Sequence, residues 1–133
     1  MPEYILYTDG ASRGNPGPAS YGVYITDDME NTVELKGKLG HQTNNFAEYT
    51  AVIEALKWLG SQNIKSAELR SDSEFLVKQL LGEYKVKSEV IKPLFLEVKK
   101  IISENKLNIK FKHIRREFNK QADRLANEAL DGY

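Results

Sequence analysis

The 133-residue sequence contains no cysteine, two histidines, two methionines and a single tryptophan. Without cysteine there is no disulfide framework, no thiolate metal site and no thiol nucleophile, and an intracellular, cytoplasmic setting is the expectation. No apolar run approaches the ~18 residues of a membrane span. Met1-Pro2-Glu3 begins no basic export segment, so the chain reads as neither exported nor anchored. An excess of either charge is missing too, since 19 Lys and Arg balance 19 Asp and Glu. That excludes a surface basic throughout, of the kind that coats nucleic acid. The balance hides an asymmetry: residues 1–66 carry 5 Lys and Arg against 8 Asp and Glu, and residues 67–133 carry 14 against 11. What is present is a globular composition, 41% hydrophobic and 29% charged, in a length that suits one domain over 1–133.

Residues 3–9 form an aromatic and β-branched run with apolar positions on both faces, the pattern of a central strand, and it is expected to end on Asp9. Residues 10–18 are rich in Gly and Pro and read as irregular. Strands over 19–26 and 32–39 follow, joined by short links, so the first three strands make an antiparallel meander. From Asn44 the period changes. Tyr49, Val52, Ile53, Leu56 and Leu59 keep helical spacing until Gly60 and Asn63. A strand over 66–71 precedes a helix over 73–81 whose apolar set is Phe75, Leu76, Leu80 and Leu81. Lys92-Pro93 opens a third helix with Leu94, Val98, Ile101 and Ile102 inward. A strand over 108–114 and a helix capped by Asn119, with Ala122, Leu125, Ala126 and Ala129 inward, complete the order βββαβααβα. That order implies an α/β fold, a mixed sheet with helices packed on its faces.

Four acids stand where structure alone does not ask for them. Asp9 closes an apolar strand, Asp72 follows another, and Glu48 and Asp123 lie near the starts of helices. Ligands in α/β sheets gather at the carboxyl ends of parallel strands, so these acids can meet there. Each also has an ordinary reading: Asp9-Gly10 as a turn, Asp72 as a helix cap, Glu48 and Asp123 as partners of a helix dipole. Only their joint placement points to chemistry. Four neighbouring carboxylates repel and hold protons unless cations neutralise them, and hard oxygen donors without Cys select Mg²⁺ or Mn²⁺ over zinc. Two such ions about 4 Å apart suit phosphodiester hydrolysis.

Tyr7-Thr8-Asp9-Gly10-Ala11-Ser12-Arg13-Gly14-Asn15-Pro16-Gly17, Thr43-Asn44-Asn45-Phe46-Ala47-Glu48, Ser71-Asp72-Ser73 and Asn119-Lys120-Gln121-Ala122-Asp123-Arg124-Leu125-Ala126 occur in that order along nearly the whole chain. Together they resemble the four signatures of type 1 ribonuclease H. The resemblance implies a ribonuclease H-like fold with a five-stranded mixed sheet, antiparallel in its first three strands and flanked by helices. It implies endonucleolytic, two-metal-ion hydrolysis of the RNA strand of RNA–DNA hybrids, with 5′-phosphate and 3′-hydroxyl products. Carried over residue by residue, Asp9, Glu48, Asp72 and Asp123 match the metal ligands, with Mg²⁺ as cofactor, Mn²⁺ as substitute, and Asp9 shared by both ions. Asn15, Asn44 and Asn45 match contacts to the hybrid, where short amides can read ribose 2′-hydroxyls in a wide minor groove. Thr43 matches a residue that holds a DNA-strand phosphate, and Ser12 and Ser73 belong to the same groove. Capping of the helix by Thr43 or Asn44 is the alternative for those two. No obligate protein partner is implied, and a monomer is expected.

The segment before Asp123 departs from many members, which place a histidine in a glycine-containing loop there. Here His113 continues the strand period, and Arg116-Glu117-Phe118-Asn119-Lys120-Gln121-Ala122-Asp123 resembles a branch with Arg-Glu ahead of the Asn. Arg116 is therefore expected to meet the scissile phosphate. As a guanidinium it cannot serve as a base. Residues 106–120 hold six Lys and Arg against Glu117, an electrostatic footprint for phosphates, or else a solvated face. The long basic, Trp-containing insertion of some members is replaced by the short stretch 82–89, which implies weak substrate affinity. Three rivals fare worse. A DEDD-type exonuclease places an acid two residues after the first Asp, where Ala11 stands. A non-catalytic binding module would have lost a carboxylate. A P-loop needs Gly-Lys-Ser/Thr, which Gly14-Asn15-Pro16-Gly17 lacks.

Overall fold

A computed structural model describes residues 3–133; Met1 and Pro2, on which the absence of an export segment was partly read, lie outside the described residues. The strands are β1 (Tyr4–Ser12), β2 (Gly17–Asp27), β3 (Thr32–Gln42), β4 (Ser66–Ser71) and β5 (Asn108–His113). The helices are α1 (Asn44–Ser61), α2 (Glu74–Leu80), α3 (Lys92–Glu104) and α4 (Lys120–Asp131), and one 3₁₀ turn spans Arg116–Phe118. The sheet order is β3-β2-β1-β4-β5, antiparallel across β3-β2-β1 and parallel across β1-β4-β5. The expected fold class and mixed sheet are therefore present. No helix among the described residues is long and apolar enough to cross a membrane.

Alternation along β1 and β2 sends Leu6, Val23 and Ile25 to one face, where Tyr49, Val52, Leu56 and Leu59 of α1 cover them together with Leu69, Leu76 and Val98. Each such buried aliphatic side chain contributes about 1.5–3 kcal/mol. α3 packs on α1, away from the sheet, while α4 crosses the opposite face over β1, β2 and β3. One buried polar pair interrupts the core: Tyr49 donates from its hydroxyl to Gln79 Oε1 at 2.6 Å.

The expected boundaries fail where glycine and proline sit inside strands. β1 continues past Asp9 to Ser12 because its antiparallel ladder with β2 runs on to Ser12 opposite Ala19. Only residues 13–16 are irregular, and Gly17 and Pro18 already pair with Gln42 and His41 of β3. β3 likewise outruns its expected end through a register shift at Ala19/Ser20 and Gly40 at φ +72°. In α2 the apolar set is also different. Phe75 and Leu81 are exposed, and Leu76, Val77, Gln79 and Leu80 face inward. Asn119 precedes α4 but makes no side-chain cap.

Two glycines set how closely the helices approach. A Cβ on Gly10 would lie 2.3 Å from the Glu48 nitrogen of α1. On the other face, a Cβ on Gly22 would lie 2.5 Å from the Ala122 carbonyl oxygen and 2.6 Å from the Ala126 nitrogen of α4. Backbone atoms cannot yield as a flexible side chain can. Gly22→Ala should therefore cost about 2–3 kcal/mol, the upper part of the range for overpacking. Thermal unfolding checks this, and a melting temperature within about 2 °C of wild type, less than 1 kcal/mol in a domain this size, contradicts it.

Candidate active site

The parallel pairing of β1 with β4 makes Thr8 and Ser71 partners, so Asp9 and Asp72 are the next residues on adjacent parallel strands. β4 stops there and β1 does not, which leaves Asp9 within a strand and Asp72 in the turn before α2. Glu48, in the second turn of α1, is brought over by the contact at Gly10. Asp123, in the first turn of α4, is brought over by the contact at Gly22, the ladder partner of Asp9. All four carboxylates line one cleft of about 380 Å³, together with Ser12, Asn44, Ser73, Arg116 and Asn127.

Like charges held this close oppose ionisation. Burial raises Asp9 from its ordinary value of 3.8 to about 8, with Asp72, Asp123 and Glu48 adding repulsion. Burial raises Glu48 to about 7, with Asp72 reinforcing the shift while a hydrogen bond from Ser73 and the charge of Arg116 oppose it. Among the described residues no three Asp, Glu or His side chains converge on a single point as a ready-made ligand set. The fit to a metal therefore rests on the chemistry of the donors. Four carboxylates free of nitrogen and sulfur, two of them with proton affinity raised by burial and by neighbouring acids, suit a hard divalent cation such as Mg²⁺ or Mn²⁺.

Hydrogen bonds fix the acids individually. Gly10 N–H donates to Asp9 Oδ1 at 3.0 Å, and Asn44 Nδ2 donates to Glu48 Oε1 at 2.7 Å. Asn127, one turn beyond Asp123, donates to its carbonyl at 2.9 Å and to its Oδ1 at 3.2 Å. Asn119 does most. Fully buried, its Nδ2 donates to the Thr8 carbonyl at 2.9 Å and to Asp72 Oδ2 at 3.0 Å, and its own carbonyl accepts from Asp123 N–H at 3.1 Å. It thus ties β1, Asp72 and α4 together. The sequence marks Asn119 as a cap residue, and nothing in its spacing signals this bridge. Asn127 was legible only as the i+4 neighbour of Asp123.

The remaining expected residues divide. Thr43 caps α1, its Oγ1 accepting from Phe46 N–H at 3.1 Å. Asn15 stands at the rim, its Oδ1 accepting from Asn44 N–H at 3.0 Å. Asn45 faces a separate depression of about 430 Å³ beside Phe75, Tyr84 and Lys87. His113 does not line the cleft; its Nδ1 lies 3.8 Å from Glu74. Asp72 does not cap α2, because Ser73 Oγ accepts from Leu76 N–H instead.

A family model described as reverse transcriptase-like matches residues 7–129. A bifunctional protein of Mycobacterium tuberculosis is 36% identical over 129 residues, 96% of this chain and 35% of that protein. This chain spans about a third of the length of the first curated relatives it matches. A ribonuclease H of Clostridium botulinum is 35% identical over 149 residues, covering 100% of this chain and 99% of that one. Among solved structures, LC11-RNase H1 in complex with RNA/DNA hybrid superposes with a TM-score of 0.93 at 45% identity, covering 98% of both chains.

The raised Asp9 value fixes the sign of a stability effect. Between about pH 3.8 and 8 the folded chain holds a proton on Asp9 that the unfolded chain releases, so metal-free stability falls as pH rises through that window. In chelator at pH 7.5, Asp9→Asn should melt about 5 °C above wild type, the shift ~1.5 kcal/mol gives in a domain this long. The gap should close as pH falls below about 3, where Asp9 is neutral in both states. Equal melting temperatures at pH 7.5 contradict the raised Asp9 value.

Proposed function

This chain belongs to the ribonuclease H-like family, whose model is described as reverse transcriptase-like, and from that premise we propose that it hydrolyses the RNA strand of RNA–DNA hybrids. The observation that carries the proposal is the convergence of Asp9, Glu48, Asp72 and Asp123 on one cleft rimmed by amides, hydroxyls and Arg116. Within it we assign the type 1 chemistry: endonucleolytic cut, 5′-phosphate and 3′-hydroxyl ends, Mg²⁺ as the working ion with Mn²⁺ able to replace it. The chain acts as a cytoplasmic monomer.

Asp9, Glu48, Asp72 and Asp123 would hold the ions, which when bound lower the pKa of water and stabilise a departing oxyanion. The chain's own groups do the rest. Asn44 spends its amide N–H on Glu48, which leaves its Oδ1 to accept from a ribose 2′-hydroxyl. Asn15 is the complement: its Oδ1 is engaged by Asn44 N–H, so its amide donors are free. The Thr43 hydroxyl accepts within α1, and its O–H remains to donate to a DNA-strand phosphate. Ser12 and Ser73 line the cleft of the four acids, while Asn45 faces a separate depression and contacts a different part of the duplex. Arg116, exposed at the cleft and permanently charged, orients and neutralises the scissile phosphate but takes no proton. Residues 82–91 form a short loop with no long basic insertion, so duplex affinity is weak, and the six Lys and Arg of residues 106–120 make it fall with salt.

Labelled hybrid, RNA duplex and DNA duplex, each incubated with and without Mg²⁺, test the proposal. Only the hybrid should be cut, only in its RNA strand and only with metal, and Asp72→Asn should abolish cutting. Cleavage that persists in chelator contradicts it. Arg116→Ala should lower kcat roughly 100-fold, as loss of one preorganised phosphate partner does, and His113→Ala should lower it far less. The reverse ranking in single-turnover assays would show that the loop has been assigned wrongly.

A further inference from the structure

α4 covers only part of its face of the sheet. It lies over Ser20 and Gly22 of β2, where Ser20 Oγ donates to the Ala126 carbonyl, and reaches β3 through Lys36–Glu128 and Glu34–Arg124 ion pairs. Toward the other end of β1 and β2, and across β4 and β5, α4 makes no comparable packing, and the helix that meets β4 and β5, α2, buries Leu76 and Val77 with Leu69 in the core on the other face. Strand register sets its side chains in a row. Tyr7 is opposite Tyr24 on one side and Arg70 on the other, and Lys112 is opposite Arg70. The tyrosine rings are tilted with centroids 6.3 Å apart, and the Arg70 guanidinium lies 5.4 Å from the Tyr7 centroid while donating to its hydroxyl at 2.9 Å. Phe118, two residues beyond Arg116, is 65% exposed and with Tyr7, Tyr24, Lys120 and Gln121 borders a depression of about 310 Å³.

The charge on this face is positive where it is free. Glu68 is held by Arg70 at 2.5 Å and Lys110 at 3.8 Å, and Glu117 by Arg115 at 3.7 Å. Among the described residues, Lys112 and Lys120 have no carboxylate partner in any ion pair. Aromatic faces beside unpaired cations complement a chain of flat bases and phosphates. A duplex cannot use them, because its bases are already stacked and paired. Tyr7 lies two residues from Asp9 on the same face of β1, about 7 Å along the strand.

We propose that this open sheet face is a second nucleic-acid site, which stacks unpaired bases of the RNA strand on Phe118, Tyr7 and Tyr24 and holds their phosphates with Lys112 and Lys120. It rests on the reading of the cleft as the seat of a hybrid's RNA strand, since the strand whose phosphate lies at Asp9 is the one whose single-stranded continuation reaches Phe118. The site favours hybrids whose RNA runs beyond the paired region and retains the frayed RNA end after a cut.

Fluorescence anisotropy with a short single-stranded RNA, in chelator, tests the face without catalysis. Phe118→Ala and Lys112→Glu should each weaken binding roughly tenfold, the scale of one lost base stack or more. Lys57→Glu, on α1 beyond the opposite face, should not weaken it. Unchanged binding in Phe118→Ala, or an equal loss in Lys57→Glu, overturns the proposal. A second arm compares hybrids of one duplex length that are blunt, RNA-overhanging or DNA-overhanging. Wild type should show a lower KM for the RNA overhang alone, and the ratio of KM values should approach unity in Phe118→Ala. An equal advantage from a DNA overhang contradicts the strand assignment. If blunt hybrid is cut and the overhang confers nothing, the second site fails and the cleft reading stands. If no hybrid is cut but RNA binding still depends on Phe118, the cleft reading fails and the face stands as a binding surface.

Discussion

Four carboxylates that repel one another are held around one cleft, and the scaffold must supply the force that keeps them there. Burial first, and the neighbouring charges second, push Asp9 to about 8 and Glu48 to about 7. Close packing supplies the counterforce. Gly10 and Gly22, neighbours in the β1–β2 ladder, let α1 and α4 press their backbones against the two faces of the sheet. Each helix carries one of the acids. The more tightly the apolar core draws those helices in, the more firmly Glu48 and Asp123 are brought to Asp9, so core burial and active-site charge are mechanically coupled.

Asn119 adds a polar tie to that apolar clamp. Its buried side-chain amide donates to β1 at 2.9 Å and to Asp72, just past β4, at 3.0 Å, while its backbone carbonyl accepts from Asp123 N–H in the first turn of α4 at 3.1 Å. Its Oδ1, buried with no partner, is the one such side-chain atom among the described residues. An unpaired buried acceptor carries a cost of about 1–3 kcal/mol. The arrangement therefore gives up stability to fix the carboxylates, as sites built for charge commonly do.

The element order was legible from periodicity, because the meander, the long amphipathic α1 and the Ala-rich inner face of α4 each repeat with one period. The four acids were legible jointly, since each stands at a strand or helix terminus in the sequence pattern. Their surroundings were not. Residues 10–12 and 17–18 look irregular because Gly and Pro are poor strand formers, yet ladder pairing with β2 and β3 overrides that propensity. Asn119 reads as a cap because local spacing cannot reveal a partner more than 100 residues away, such as the Thr8 carbonyl. Phe75 reads as core by helical spacing, but α2 is short and turns Val77 and Gln79 inward instead. Local pattern fixes elements; which face is buried depends on neighbours distant in sequence.

Anomalous diffraction from crystals grown with Mn²⁺ and an RNA–DNA hybrid that resists cleavage tests the joint role of the acids most directly. Manganese peaks coordinated by Asp9 together with Glu48, Asp72 and Asp123, beside a phosphate of the RNA strand, are the result that the coupled cleft requires. Manganese bound away from these residues, or held by only one of them with the hybrid lying elsewhere on the surface, would contradict it.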